Sequence, residues 1–142
     1  MADSLTLRVI TPERVVLDTE ASSVKFPGMD GLVGVLPKHA HMVAAVDSGL
    51  LEWTSGGSVA GDMFVSGGFA EVKGNTVRIV TEAGEMADKI DVERAEQAAV
   101  RAKDRMKTHK IEEGSAEYDS MRAEHSLRRA MMRKFVANRV KR

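Results

Sequence analysis

Two histidines, His39 and His41, are the side chains whose types and spacing come closest to a metal site. Residues two apart on an extended segment point the same way, so both imidazoles could face one ion. A zinc site needs further ligands, however, and the chain has no cysteine and few nearby acids to supply them. We therefore interpret both as polar or interface histidines of a loop, and we predict no metal site.

Catalytic patterns are equally scarce. Ser66-Gly67-Gly68 is not followed by the lysine and hydroxyl residue of a phosphate-binding Walker loop, and we interpret it as a bend in a strand. No Ser-His-Asp arrangement and no carboxylate pair suited to acid–base chemistry stands out. We predict that the chain is not an enzyme and requires no cofactor for its main role.

The elements that would position these residues are short strands up to about residue 81. Leu5, Leu7 and Val9 alternate with polar residues, which predicts a strand with one apolar face. Glycine-containing breaks separate most of the later runs. These runs cover 14–19, 23–26, 42–46, 50–54, 63–65, 70–72 and 76–80. Many short strands with regular turn signals are typical of a sandwich or barrel.

After Gly84 the apolar period becomes helical. Asp91 is a suitable N-cap for a first helix, and Gly114-Ser115 is a break before a second. The predicted inward positions are Val92, Ala95, Ala99, Ala102 and Met106 in the first helix, and Tyr118, Met121, Leu127, Ala130, Met131 and Phe135 in the second. We predict an antiparallel helical hairpin, marginally stable alone because alanines bury little area. The domains would span 1–86 and 87–142.

Charge is divided unevenly along the 142 residues. Residues 1–89 carry 7 basic and 12 acidic side chains, a net charge of −5, and residues 90–142 carry 14 and 9, a net charge of +5. The last 16 residues contain seven basic side chains and no acid. Such a tail favours an anionic surface, and charge alone leaves protein, nucleotide, lipid and nucleic acid open. No apolar run approaches the roughly 20 residues needed to span a bilayer.

Three strings make the sequence resemble the epsilon subunits of F-type ATP synthases, counterparts of the mitochondrial delta subunit. Residues 26–40 read FPGMDGLVGVLPKHA, residues 64–72 read FVSGGFAEV, and residues 90–95 read IDVERA. The resemblance implies an α+β fold, an N-terminal ten-stranded β-sandwich followed by a C-terminal antiparallel two-helix hairpin. It also implies a non-catalytic rotor subunit. The N-terminus has no basic and apolar targeting segment, which favours the cytoplasmic side of a bacterial plasma membrane, but an already processed organellar chain would look similar.

The resemblance further implies that the sandwich binds the gamma subunit and the ring of c subunits. The loop that carries the first string offers glycines for close backbone approach and apolar side chains for contact. The expected interface residues are Met29, Asp30, Gly31, Leu32, Val33 and His39.

The third string resembles the nucleotide motif of ATP-binding epsilon subunits, which implies a regulatory ATP. The matching residues are Glu85, Ile90, Asp91, Arg94, Arg101, Arg129 and Arg133. The guanidinium groups of arginines can bind phosphates through two hydrogen bonds each. A purely structural explanation also exists, because Asp91 is a suitable helix cap and arginines on such helices are usually solvated. In this family the extended helices can contact acidic segments of the alpha and beta subunits and inhibit ATP hydrolysis, a role that would suit the basic tail.

Two other classes of function remain open from the residues alone. The basic tail could indicate a nucleic-acid-binding module, although the acidic N-terminal half and the 4% aromatic content oppose it. A small all-β hydrolase is opposed by the absence of an evident nucleophile and base. We expect no nucleic acid partner.

Overall fold

The computed structural model describes residues 3–109 and 116–139, so the predicted Gly114-Ser115 break and the last three residues lie outside it. Eight strands precede two helices, with a single 3₁₀ turn, Ala87–Lys89, between them. The strands are β1 (Leu5–Ile10), β2 (Val15–Ala21), β3 (Ser23–Gly28), β4 (Gly31–Val35), β5 (Met42–Ser55), β6 (Ser58–Lys73), β7 (Thr76–Thr81) and β8 (Gly84–Met86). The helices are α1 (Val92–His109) and α2 (Ala116–Arg139).

All eight strands belong to one hydrogen-bonded system in the order β2-β1-β7-β6-β5-β3-β4, with β8 paired to β6. The β1–β7 pair is parallel and the others are antiparallel. β6 pairs with β8 before Gly67-Gly68 and with β7 after them. Both glycines have positive φ angles, 106° and 136°, which other residues rarely adopt. The predicted bend is therefore confirmed, and it divides β6 between the two layers of the sandwich.

The sandwich followed by two helices confirms the predicted fold class, but the strand count differs from ten. The runs predicted at 42–46 and 50–54 are one 14-residue strand, β5, and those at 63–65 and 70–72 belong to one 16-residue strand, β6. Each long strand serves both layers, and counting each twice accounts for the difference. Strands β4 and β8 were not predicted as strands; β4 lies within the glycine-rich string.

The sandwich core consists of fully buried aliphatic and aromatic side chains. The alternation predicted for β1 is confirmed, since Leu5, Leu7 and Val9 are all completely buried. Phe26 from β3 and Ile79 from β7 join the same cluster. Complete burial of such large apolar side chains makes the sandwich the more stable part of the chain.

The helical hairpin is held by small side chains. Asp91 caps α1 as predicted, because its Oδ1 accepts a hydrogen bond from the backbone N of Arg94 at 3.0 Å. The buried alanines of the described helices are Ala95, Ala99 and Ala102 in α1 and Ala123, Ala130 and Ala137 in α2, of which Ala137 faces the sandwich. An ion pair, Lys134 Nζ to Glu96 Oε1 at 3.2 Å, joins the two helices.

The inward face predicted for α2 is partly wrong. Ala130 is buried as predicted, but Met121, Met131 and Phe135 are more than half exposed, and Ala123, which was not predicted, is buried. The prediction assigned large apolar residues to the interface, but two helices in close contact accept only small ones, and the larger residues turn outward. The Tyr118 side chain lies outside the described part of the chain.

The hairpin is docked on the sandwich through a second apolar cluster. Phe64 of β6 is fully buried outside the main core, where Val136 and Ala137 of α2 cover it. Ala87 and Ile90 from the segment between sandwich and hairpin complete this cluster. The described helices include none that is long and apolar enough to span a bilayer.

Candidate functional site

The tip of the β3–β4 hairpin carries most of the predicted interface residues. Gly28 pairs with Gly31 across a two-residue turn formed by Met29 and Asp30. Met29 and Leu32 are 65% and 74% exposed, an unusual position for large apolar side chains. The structure thus brings together five of the predicted residues at a shallow depression of about 390 Å³. Its lining consists of Gly28, Met29, Asp30, Gly31, Leu32, Val33, Ala44 and Ala45.

The sixth predicted interface residue, His39, lies in the connection between β4 and β5 and does not line this depression. Its Nδ1 is 2.7 Å from the carbonyl oxygen of Ala40. The preceding residue, Lys38, adopts a φ of 65° and its backbone N donates to Asn75 Oδ1 at 2.7 Å. This connection therefore packs against the β6–β7 turn. Among the described residues, no group of three or more His, Asp or Glu side chains could hold a metal.

An apolar row crosses the outer face of the sheet and was not predicted. Its members are cross-strand partners, so their side chains share one face. In order from β5 to β2 they are Ala45, Phe69, Val80, Ile10 and Val15. Phe69 and Val15 are 47% and 52% exposed. Only the strand register reveals this row, because its five members come from five separate strands.

A charged row lies beside the apolar one. Arg78 of β7 is opposite Glu71 of β6, and Arg8 of β1 is opposite Asp18 of β2. Arg8 Nη2 lies 3.2 Å from Asp18 Oδ2, and Arg78 Nη1 lies 3.9 Å from Glu71 Oε1. The two rows make this face amphipathic, as in the apolar centre and polar rim of a protein interface.

A cleft of about 430 Å³ lies where α1, α2 and β8 meet, and it contains five of the seven predicted nucleotide residues. Its lining consists of Glu85, Lys89, Asp91, Arg94, Ala95, Ala98, Arg101 and Arg133. Arg94 and Arg101 are seven residues apart, two turns of the same helix, so they line the same side of the cleft. The four cationic side chains outnumber the two acidic ones.

Arg133 is the best fixed of these cations. Its Nε donates to Glu85 Oε1 at 3.0 Å, and its guanidinium lies over the Phe64 ring, 4.6 Å from the centroid. A cation over an aromatic ring and paired with a carboxylate is held in one orientation. Docking of α2 thus places Arg133 opposite the arginines of α1.

Two of the predicted residues do not line the cleft. Ile90 is buried in the apolar cluster beneath α2, and Arg129 donates its Nη2 to Ser126 Oγ at 3.2 Å. Lys89 was missed, although it immediately precedes the IDVERA string. Its side chain had no recognisable pattern in the sequence, and only the path of the chain before α1 turns it toward the arginines.

The cleft has the character of an anion site rather than of a catalytic one. Its volume lies within the range of small-molecule pockets, about 300–1,000 Å³. The basic side chains and the N-terminal end of α1 favour phosphate, while Glu85 and Asp91 can accept hydrogen bonds from an amino group. These residues fit a nucleotide.

Comparison with known proteins gives a consistent family. Residues 4–87 match the β-sandwich domain of the ATP synthase delta/epsilon chain, and residues 88–137 match its long α-helix domain. The ATP synthase epsilon chain of Symbiobacterium thermophilum is 44% identical, covering 94% of this chain and 91% of that one. The epsilon chain of Desulforamulus reducens is 42% identical, covering 94% and 96%.

Among solved structures, the chain is similar to one in the cryo-EM structure of the Euglena gracilis mitochondrial ATP synthase. The TM-score is 0.73 at 21% identity, covering 97% of this chain and 81% of that one, which shows a shared fold. Because the family models together span nearly all of the sequence, the chain belongs to the ATP synthase delta/epsilon family, and the relatives named above are epsilon chains.

Proposed function

We propose that this chain is a non-catalytic subunit in the rotor of a proton-translocating ATP synthase, where its sandwich joins the gamma subunit to the ring of c subunits. The observation that carries the proposal is the apolar surface that the docked hairpin leaves uncovered. It comprises the row across β5, β6, β7, β1 and β2 and the β3–β4 tip. Large exposed apolar patches are characteristic of interaction sites.

The apolar row suits the gamma subunit. Phe69 stands near its centre between Ala45 and Val80, and the charged row beside it supplies a rim. Aromatic residues at the centre of a patch commonly provide most of the binding energy. The face is the surface of a rigid sheet, which can transmit torque from a shaft without deforming.

The β3–β4 tip suits the c-ring. Met29 and Leu32 project from a tight turn, and Asp30 adds a charge between them. A narrow protruding hairpin can reach the polar loops of membrane subunits while the sandwich stays outside the bilayer. The subunit would then be peripheral, on the cytoplasmic side of a bacterial plasma membrane.

Rebinding to ATP synthase stripped of this subunit tests the rotor assignment. Phe69→Ser should weaken binding by about tenfold or more, because it removes a central aromatic contact. Val59→Ser is the matched control, since Val59 is 56% exposed on the same strand but outside the row. Equal binding of both variants and the unsubstituted chain would contradict the proposed shaft surface.

We further propose that ATP binds the cleft between the helices and stabilises the docked hairpin. The triphosphate would lie against Arg94, Arg101 and Arg133, and the carboxylate groups would accept hydrogen bonds from the base. Because these cations come from both helices, a ligand that bridges them favours the docked arrangement. Lys89 adds a positive charge at the same cleft.

ATP titration of the purified protein, followed by amide NMR, tests this second part. We expect shifts at Asp91 and the cleft arginines, and a loss of affinity of about tenfold in Arg94→Gln. Lys103→Gln is the control, because Lys103 is exposed on the same helix outside the cleft. An absence of shifts at millimolar ATP would remove the nucleotide from the proposal and leave the rotor role intact.

The helices would also regulate ATP hydrolysis. In an extended arrangement the basic end of α2 could contact acidic segments of the alpha and beta subunits. Deletion of residues 90–142 from the assembled complex should raise its ATP hydrolysis rate. Unchanged hydrolysis would reject the inhibitory role.

A further inference from the structure

The face of the sandwich beneath α2 combines apolar and acidic side chains in a definite order. Leu50 of β5 and Phe64 of β6 are cross-strand partners at its centre. Glu52 and Asp62 are also cross-strand partners. Each lies two residues from the Leu50–Phe64 pair along its strand, so all four side chains are on the same face. Two further acids contact α2: Asp47 on β5 and Glu85 on β8, which is the cross-strand partner of Phe64.

The docked side of α2 has the complementary order. Met132 and Val136 pack on the apolar centre. Arg128, one turn before Met132, pairs through Nη2 with Asp47 Oδ2. Arg139, near the end of the helix, donates from Nη2 to Glu52 Oε2 at 2.7 Å and from Nε to Asp62 Oδ2 at 3.4 Å.

The Glu52–Asp62 pair is the most informative feature of this face. Like charges directly opposite one another on adjacent strands destabilise a sheet. These two carboxylate side chains are only 16% and 15% exposed, and Asp62 Oδ1 is buried without a hydrogen-bond partner among the described residues. Water therefore screens them poorly, and the two nitrogens of the Arg139 fork supply the missing counter-charge.

The same contacts account for the uneven charge of the chain. The basic end of α2 has no acid of its own to offset it. Lys134 pairs with Glu96 of α1, and the other described acidic partners belong to the sandwich: Asp47, Glu52, Asp62 and Glu85. The acidic excess of the first region and the basic excess of the second are thus brought into contact by docking.

We propose that Asp47, Glu52, Asp62 and Glu85 form an acidic frame that binds α2 and masks Arg128, Arg133 and Arg139 while the hairpin is docked. The Glu52–Asp62 pair biases the equilibrium, because undocking removes Arg139 and leaves two like charges directly opposite each other on adjacent strands. Release of the hairpin exposes the arginines for an acidic protein surface. This last step depends on the proposed inhibitory function; the frame itself does not.

A distance measurement in the intact protein tests the frame. The chain has no cysteine, so Ser58→Cys and Glu124→Cys, both at positions whose side chains do not contact the frame, can carry two spin labels. In the labelled protein we expect mostly the docked distance. The double substitution Glu52→Gln, Asp62→Asn should lower the ratio of docked to open populations by about fivefold. Added salt should change this ratio less in the double variant than in the parent, because fewer ion pairs remain to be screened.

Glu71→Gln is the matched control, because Glu71 is a cross-strand acid of the same sheet whose partner is Arg78 rather than α2. It should leave the ratio unchanged. Arg139→Gln alone should lower the docked-to-open ratio as much as the double substitution does. The triple variant that combines Arg139→Gln with the double substitution should show little further decrease. Near-ultraviolet circular dichroism of Trp53 checks that the sandwich stays folded. An unchanged ratio, or an equal response to Glu71→Gln, would overturn the frame.

ATP hydrolysis by the reassembled complex then separates the frame from the inhibitory function. If both hold, the Glu52→Gln, Asp62→Asn protein should inhibit more strongly than its parent. If the distances change and hydrolysis does not, the masking of an inhibitory surface is refuted while the acidic frame stands. None of the substituted residues lines the nucleotide cleft, so ATP binding is not altered directly.

Discussion

The sandwich and the helical hairpin are stabilised in different ways. The sandwich buries large side chains completely, among them Leu5, Leu7 and Phe26. The interface between the helices buries chiefly alanines, such as Ala99 and Ala102, and polar pairs surround the contact between α2 and the sheet. Buried apolar area contributes roughly 25 cal/mol per Å², so the sandwich gains far more per residue.

This difference separates a rigid part from a reversible one. A region with few buried apolar contacts opens at a lower free energy than a region with a large core. We therefore expect the hairpin to open before the sandwich unfolds. Substitutions in the two regions should have effects of different size and kind, and four of them test the comparison.

Gly68→Ala should have the largest effect. A Cβ at this position would overlap the carbonyl oxygen of Val80, and the φ of 136° is strained for any other residue. Because the bend directs β6 from one layer to the other, we expect a loss of about 3 kcal/mol or more in the free energy of unfolding. Urea denaturation measures it. Gly34→Ala is the control, since its Cβ would meet nothing within 4 Å, and equal losses would contradict the steric explanation.

Phe64→Ala should come next and should act at the boundary between the two regions. It removes the fully buried ring that α2 covers and the surface over which Arg133 lies. Deletion of a buried phenylalanine costs about 3 kcal/mol, and here the loss should appear mainly as undocking. Hydrogen exchange should show faster exchange in α2 and protection retained in β1 and β7. Uniform acceleration throughout the sandwich would argue against separable regions.

Ala102→Leu should have a smaller effect, confined to the hairpin. Ala102 is almost completely buried between the helices, so a larger side chain must push them apart, at a cost of about 1–2 kcal/mol. Helical circular dichroism should melt at a lower temperature while the sandwich transition stays in place. Val100→Leu enlarges an exposed residue of the same helix and should change neither transition.

Asp91→Ala should have the smallest effect, because it removes one helix cap. The loss of the hydrogen bond to the Arg94 backbone should cost the hairpin about 1 kcal/mol. Asp91→Ser distinguishes the cap from the carboxylate, since serine can still cap but carries no charge. In thermal melting, the Asp91→Ser variant should have a melting temperature close to that of the parent. If it melts at the same temperature as the Asp91→Ala variant, the charge matters more than the cap.

Much of the fold could be predicted from local patterns. Alternation in β1 and the change to a helical period after Gly84 depend on neighbouring residues, and both were predicted correctly. The inward face of α2 was predicted only in part, because the face that a helix buries depends on its partner. Ala130 is buried as predicted, but Met131 and Phe135 are exposed although they are apolar, and Ala123 is buried instead.

The candidate site shows the same division. The glycine-rich string is a local segment and indicated the tip. The IDVERA string contains two of the predicted cleft residues, Asp91 and Arg94, whereas Glu85, Arg101 and Arg133 were expected only from the family resemblance. Lys89, the apolar row and the acidic frame could not be predicted, because their members come together only through the strand register and the docking of α2. The sequence by itself determined most of the strands, both helices, the bend at Gly67-Gly68 and the opposite charge of its two halves. Only the tertiary structure decided which acid faces which arginine, because ion pairing depends on distance in space and not on separation along the chain.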